Sequence, residues 1–235
     1  MRLGLLGYPI AHSKSPELYQ RFLGNKLKSY DLFPFENVND IPDILFFAER
    51  LDGLNITSPY KRHFIDHVKI TSPLVQSLGA INTILFKKDM IYATNTDLEA
   101  VEEILTHLKN KFKDLHILLL GDGSMANLTK VVAGHLSISV RQFSRRMNDD
   151  FDHLDLSLYS TPGLQTLIIN SCSRDYVFNG KIFGSEIFWD YNYSFAPHQT
   201  RLTSKVMTYI DGQELLELQA RAAIKFWKKH TPKLN

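Results

Sequence analysis

The chain has one cysteine, Cys172, in 235 residues. A lone thiol excludes an internal disulfide and any cysteine-based zinc cluster, so no metal site and a reducing, cytoplasmic setting are expected. An excess of either charge is also missing: 27 Lys and Arg stand against 25 Asp and Glu, a formal net charge of +2. A balance that even argues against a nucleic-acid or membrane-surface partner, whose footprint would be a basic excess. No apolar run approaches the roughly 20 residues needed to span a bilayer. The opening MRLGLLGYPIAHSKSP reaches Pro9 after too short an apolar run for a secretory signal. Repeats and low-complexity stretches are absent as well. What remains is 44% hydrophobic and 22% charged residues, an ordinary globular composition. The length suits one large domain or two small ones, each able to bury its own core.

Up to about residue 97 short apolar runs alternate with helical patterns. Residues 2–7 read as a buried strand. Ser15-Pro16-Glu17 opens a helix with a serine cap, proline at the first helical position and an acid in the first turn; Leu18, Tyr19 and Phe22 supply its apolar face. Strands are predicted over 30–35 and 54–57, and helices over 40–51 and 73–78, the second closed by Gly79. Residues 81–86 and 90–94, split by Lys87-Lys88-Asp89, read as a hairpin. A long amphipathic helix over 97–108 follows, with Leu98, Val101, Ile104, Leu105 and Leu108 on one side. Then come a strand (116–120), a glycine-containing turn, a helix to about Leu136 and a strand (139–143), the order of a nucleotide-binding βαβ unit. Runs at 167–170 and 187–191 could complete that sheet. A closing helix over 213–230 carries Leu215, Leu218, Ala222 and Trp227 as its stripe. The class is α/β in two lobes.

Four polar clusters interrupt the apolar pattern of the N-terminal half: His12-Ser13-Lys14-Ser15-Pro16, Asn55-Ile56-Thr57-Ser58-Pro59-Tyr60-Lys61, Gly79-Ala80-Ile81-Asn82-Thr83 and Asn95-Thr96-Asp97. Each falls where a predicted strand meets a turn or helix, the place where open α/β sheets bind ligands. Together they offer hydroxyls, amides, one ammonium and one carboxylate, a set suited to a small polyhydroxylated acid. Taken singly, each also reads as a helix cap or a turn.

In these segments the sequence resembles the shikimate dehydrogenase family. The family's G-x-P-I-x-H-S-x-S-P is found at Gly7 to Pro16, its N-V-T-x-P-x-K at Asn55 to Lys61 with isoleucine for valine, its G-A-x-N-T at Gly79 to Thr83, and its N-T-D at Asn95 to Asp97. Asp190-Tyr191-Asn192-Tyr193 with Pro197, and Gly212 to Gln219 leading into Ala220, resemble two closing motifs. The resemblance implies an N-terminal α/β substrate-binding domain (1–98 with 211–235) and a Rossmann-like dinucleotide-binding domain (99–210). It implies Lys61 and Asp97 as the catalytic pair, Ser13 and Ser15 on the substrate carboxylate, Thr57, Asn82 and Gln219 on ring hydroxyls, and Tyr193 near the carboxylate end. The reaction implied is the reversible NADP-dependent reduction of 3-dehydroshikimate to shikimate. Quinate or an amino-shikimate as substrate, or a shikimate-pocket binding protein with impaired cofactor binding, are the alternatives. A monomer and a homodimer are both compatible with it.

The nucleotide half departs from the pattern. The family's G-x-G-G-A-x-x-A turn is Gly121-Asp122-Gly123-Ser124-Met125-Ala126-Asn127-Leu128 here, with a carboxylate beside the expected pyrophosphate, where like charges repel. The family's N-R-T, which clasps the adenosine 2′-phosphate, is Ser144-Arg145-Arg146; two guanidiniums suit a phosphate, so NADP is favoured over NAD. Gly121, Gly123, Ser124, Met125, Ser144, Arg145 and Arg146 are therefore the expected cofactor-binding residues. Asn170-Ser171-Cys172 is a partial match to N-A-T, Glu214 and Leu215 replace a glycine and a methionine, and residues 150–185 are short for the family.

Overall fold

Residues 1–161 and 163–229 are described by a computed structural model of the chain. The chain is α/β and divides into two units, Met1–Glu99 with Glu217–Asn235, and Ala100–Leu216. The division falls inside two helices, α4 (Thr96–Lys111) and α7 (Gln213–Lys229).

The first unit is built on six strands: β1 (Arg2–Leu6), β2 (Ser29–Phe33), β3 (Gly53–Ile56), β4 (Lys69–Ile70), β5 (Thr83–Lys87) and β6 (Met90–Thr94), in the order β2-β1-β3-β5-β6-β4. β1 pairs in parallel with β2 and β3, while β3-β5 and β5-β6 are antiparallel. Because β1 is flanked on both sides, Leu3, Leu5 and Leu6 are all buried, which is why it reads as a continuous apolar run rather than an alternating one. The predicted hairpin forms, with Thr83 opposite Thr94. β4 has only two residues, too few to leave a periodic signal.

Two N-terminal helices differ from expectation. In α1 (Ser15–Leu23) the cap position is Lys14, which makes no side-chain cap bond; Ser15 is already helical and donates its N–H to Ser13 Oγ at 3.2 Å. Its buried residues are Leu18, Tyr19 and Leu23, with Phe22 only half-buried. The helix expected over 40–51 forms only as α2 (Ile44–Ala48), capped by Asp43, whose carboxylate accepts the Leu45 N–H at 2.8 Å. Pro42 explains the late start: it biases Ile41 towards extended backbone, and Ile41 is extended. α3 (Pro73–Leu78) is capped by the Ser72 side chain and closed by Gly79.

The second unit holds a five-stranded, all-parallel sheet of β7 (Leu115–Leu120), β8 (Ser139–Phe143), β9 (Gln165–Asn170), β10 (Ile187–Asp190) and β11 (Thr208–Ile210), in the order β11-β10-β9-β7-β8. α5 (Ser124–His135) joins β7 to β8 and completes the βαβ unit; α6 (Ala196–Leu202) precedes β11. Leu118, Leu120, Phe143, Ile168, Phe178 and Phe188 form the centre of its core. Neither α6 nor β11 is legible in sequence, being one short proline-containing helix and three edge residues. The closing helix α7 buries Leu215, Ala220, Ala223, Ile224 and Trp227, whereas Leu218 and Ala222 are half-buried. The Trp227 indole sets that face in the first unit by donating to the Ile84 carbonyl at 2.9 Å. His230, at the expected end of this helix, lies outside the described residues.

Candidate functional site

In the first unit the polar clusters meet at one end of the interior strands β1, β3, β5 and β6. The loops after β1 and β3 lie against each other, with Tyr8 N–H on the Ser58 carbonyl (3.1 Å) and Thr57 N–H on the Leu6 carbonyl (2.8 Å). Gly7 permits this approach, since a Cβ there would stand 2.3 Å from Thr57 Cγ2. The Ile81 N–H then binds the Lys61 carbonyl at 2.8 Å, and the Asn82 N–H the Thr94 carbonyl at 3.1 Å, joining the remaining two clusters to the first pair.

Lys61 Nζ donates to Asp97 Oδ2 at 2.6 Å, with side chains only 14% and 17% exposed. The pair is available because another residue caps α4: Asn95 Oδ1 accepts the Leu98 N–H at 3.1 Å while its Nδ2 donates to the Ala80 carbonyl at 3.0 Å. Asp97 is thereby released from capping and turned to the lysine.

A separate hydrogen-bonded chain passes through Thr96, the sequence neighbour of Asp97. Tyr30 Oη donates to Asn55 Oδ1 at 3.0 Å, and Asn55 Nδ2 donates to Thr83 Oγ1 (3.2 Å) and the Asn82 carbonyl (3.3 Å). Asn82 Oδ1 accepts the Thr96 N–H at 2.7 Å and lies 3.0 Å from Thr83 Oγ1. Thr96 Oγ1 reaches Gln219 Oε1 at 3.5 Å. The Asn82 oxygen is thus committed to the scaffold, leaving its Nδ2 as the atom that can donate elsewhere. Burial pushes the Tyr30 phenol well up, against a smaller opposing effect of Ser15, so it remains an O–H donor. Tyr19 stacks on Tyr30 with ring centroids 5.1 Å apart, and burial raises its phenol in the same way.

Of the residues expected on the substrate, Ser13, Ser15, Thr57 and Asn82, together with Lys61, Asp97 and Gln219, therefore belong to one unit. Tyr193 belongs to the other, half-buried, with its carbonyl accepting from Arg174 at 2.9 Å. Tyr30 was not singled out by sequence reasoning. It reads there as an ordinary strand tyrosine, and only the parallel pairing of β1 with β2 brings it towards Asn55.

The second unit holds the other expected group. Gly121 ends β7 at φ +109°, and a Cβ there would lie 2.7 Å from Ser171 Oγ and 3.2 Å from Cys172 Sγ. At Gly123 an added Cβ would meet nothing within 4 Å. α5 starts at Ser124 with no side-chain cap and no acid in its first turn, so its leading N–H groups and positive dipole end have no side-chain partner there. Ser144 follows β8 with its hydroxyl buried and without a well-formed hydrogen bond. Arg145 and Arg146 are exposed. A tight turn, a helix N-terminus without a side-chain cap, and a serine followed by two arginines are groups of the kind a phosphorylated dinucleotide needs. Asp122 does not stand free beside them: its Oδ2 accepts from Arg146 Nε at 2.7 Å. Arg146 holds the Asp122 carboxyl below the usual carboxylate range, and the Ser144 hydroxyl is close enough to add to that effect.

Residues 5–84 match the family model of the shikimate dehydrogenase substrate binding domain. A shikimate dehydrogenase (NADP(+)) of Legionella pneumophila is 26% identical over 261 residues, covering 98% of this chain and 94% of that relative. Over residues 5–84 the chain is similar to the substrate binding domain of shikimate dehydrogenases. The shikimate dehydrogenase (NADP(+)) of Dehalococcoides mccartyi is 29% identical over 146 residues, 59% of this chain; there the chain spans about half, 51%, of the relative's length. Among solved structures, the shikimate 5-dehydrogenase of Thermus thermophilus in complex with NADP(H) and shikimate superposes with a TM-score of 0.71 at 20% identity, covering 99% of this chain and 95% of that one. At that identity the likeness establishes the fold alone. No helix among the described residues is long and apolar enough to cross a membrane.

Proposed function

We propose that the chain is an NADP-dependent dehydrogenase interconverting 3-dehydroshikimate and shikimate in the cytoplasm. The observation that carries this reading is the shielded Lys61–Asp97 pair, 2.6 Å apart, in the same unit as the polar chain of Asn82, Thr96 and Gln219. The relatives' activity supports it.

Reducing a ketone to an alcohol requires a hydride at carbon and a proton at oxygen. A nicotinamide cofactor held by the second unit would supply the hydride. Lys61 supplies the proton: its ammonium stabilises the charge developing on the carbonyl oxygen and transfers a proton to it, leaving a neutral amine that water reprotonates. Asp97 holds the ammonium in place and offers its second oxygen to a substrate hydroxyl. Ser13 and Ser15 are assigned to the substrate carboxylate, and Thr57, Asn82 Nδ2 and Gln219 to ring hydroxyls. Gly121, Gly123, Ser124 and Met125 are assigned to the pyrophosphate, and Ser144, Arg145 and Arg146 to the 2′-phosphate. In this reading the first unit binds substrate and the second the cofactor.

The Asp122–Arg146 pair favours one competing reading, a shikimate-binding protein that has lost its cofactor. Titrating NADPH against the purified chain, then adding shikimate and NADP, separates the two. NADPH formation is expected; binding of shikimate without binding of NADPH or turnover would make the chain a binding protein.

A further inference from the structure

The nucleotide turn carries a carboxylate that its geometry does not need. Asp122 neither caps α5 nor supports the turn, whose backbone is held by Gly121 N–H on the Phe143 carbonyl (2.8 Å) and Gln142 Nε2 on the Gly121 carbonyl (2.8 Å). Instead the side chain crosses to the loop after β8, where it meets Arg146, with Ser144 close by. These are two of the three residues assigned above to the 2′-phosphate. The third, Arg145, lies 3.8 Å from Asp152 Oδ1. Two guanidiniums thus face two carboxylates, and the clasp carries no net charge of its own.

We infer that Asp122 is a resident competitor for the cofactor's 2′-phosphate, holding the Arg146–Ser144 clasp until a phosphate displaces it. The inference rests on the reading of residues 144–146 as the 2′-phosphate clasp and adds to it a discriminating residue. Two anions cannot share the Nε edge of one guanidinium. A 2′-phosphate that takes the Nε edge displaces Asp122 from it, whereas NAD, lacking the 2′-phosphate, leaves the contact standing. The consequence is a narrowed preference for NADP over NAD, set by Asp122 rather than by loss of the arginines. The contact is exposed, so its weight is that of a solvent-screened pair.

The test is a binding cycle on the full chain, titrating NADPH and NADH fluorescence with wild type, Asp122→Asn, Arg146→Gln and the double variant. Asp122→Asn is expected to tighten NADPH roughly two- to fivefold more than NADH, the range open to an exposed ion pair. That extra gain should vanish when Arg146 is glutamine. An equal gain for both dinucleotides would mean that Asp122 acts only by repelling the pyrophosphate, and would overturn the inference. So would a selective gain that persists without Arg146, or no gain at all. Failure of all four proteins to bind either dinucleotide would instead remove the cofactor reading, and this inference with it.

Discussion

Replacing His198 by alanine should cost the second unit much of its stability, and the structure gives the size of the loss. His198 and Asp190 are fully buried, with Nδ1 and Oδ2 2.5 Å apart. His198 Nε2 accepts the Phe178 N–H at 2.8 Å, so the ring proton must sit on Nδ1 and point at the aspartate. The carboxylate also accepts from Asn170 Nδ2 (3.0 Å), from Asn192 N and Nδ2 (3.0 and 3.1 Å), and from Tyr209 Oη (3.3 Å). Burial, then the Asp190 charge, raises the Tyr209 phenol and keeps it a donor. His198→Ala removes one donor from a buried carboxylate that keeps four other hydrogen bonds, and removes the acceptor of the buried Phe178 amide. The lost bond to a charged group costs roughly 1.5–3 kcal/mol, the orphaned amide roughly 1–3 kcal/mol, and the vacated space about 1 kcal/mol more. A total of about 3.5–7 kcal/mol corresponds to a fall in Tm on the order of 10–25 °C for a chain of this size. His198→Asn, which can keep the donor to Asp190 but not the acceptor for Phe178, should lose roughly half as much. Circular dichroism melting of the three proteins measures this directly. A drop of less than about 3 °C in His198→Ala would refute the claim that the imidazole satisfies both groups.

Three further outcomes follow from the geometry. Gly53→Ala should destabilise by about 1–3 kcal/mol and shift tryptophan emission, because the new Cβ would stand 2.4 Å from the indole nitrogen of Trp227; an unchanged denaturant midpoint would contradict the packing. Cys172, whose thiol burial pushes up to about 12, should be alkylated at pH 8 roughly a thousandfold more slowly than a free thiol, and at the free rate only in denaturant. Rapid labelling of the native chain would show the thiol to be accessible. Asp97→Asn should lower kcat by about a hundredfold with little change in KM, since it loosens Lys61 while keeping a hydrogen-bonding amide; a change confined to KM would assign Asp97 to binding alone.

Local chemistry made much of the fold legible. Ser72 and Gly79 bracket α3, the Lys88-Asp89 turn divides β5 from β6, and the apolar run of β7 followed by glycines announces the βαβ unit. Elements without such signals were not visible: β4 and β11 are too short for periodicity, and Pro42 cut back the helix expected around it. Lys61 and Asp97 could be named because each stands in a dense polar motif. Their pairing depends on Asn95 taking over the cap, which no one-dimensional pattern displays. The same holds for Asp122, which reads in sequence as a repulsive charge at the pyrophosphate. Its partner Arg146 is 24 residues away, and only the parallel pairing of β7 with β8 brings the two loops together. His198 carries no motif at all; its role comes from the ends of β9 and β10 meeting α6.

The central claim is that Lys61 delivers the proton in an NADP-dependent shikimate dehydrogenase, and the direct measurement is shikimate-dependent NADPH formation by wild type and Lys61→Ala, with shikimate binding followed calorimetrically in both. The account predicts turnover by the wild type and a loss on the order of 10²–10⁴ in kcat for the variant, with shikimate still bound. Undiminished turnover by Lys61→Ala would contradict it.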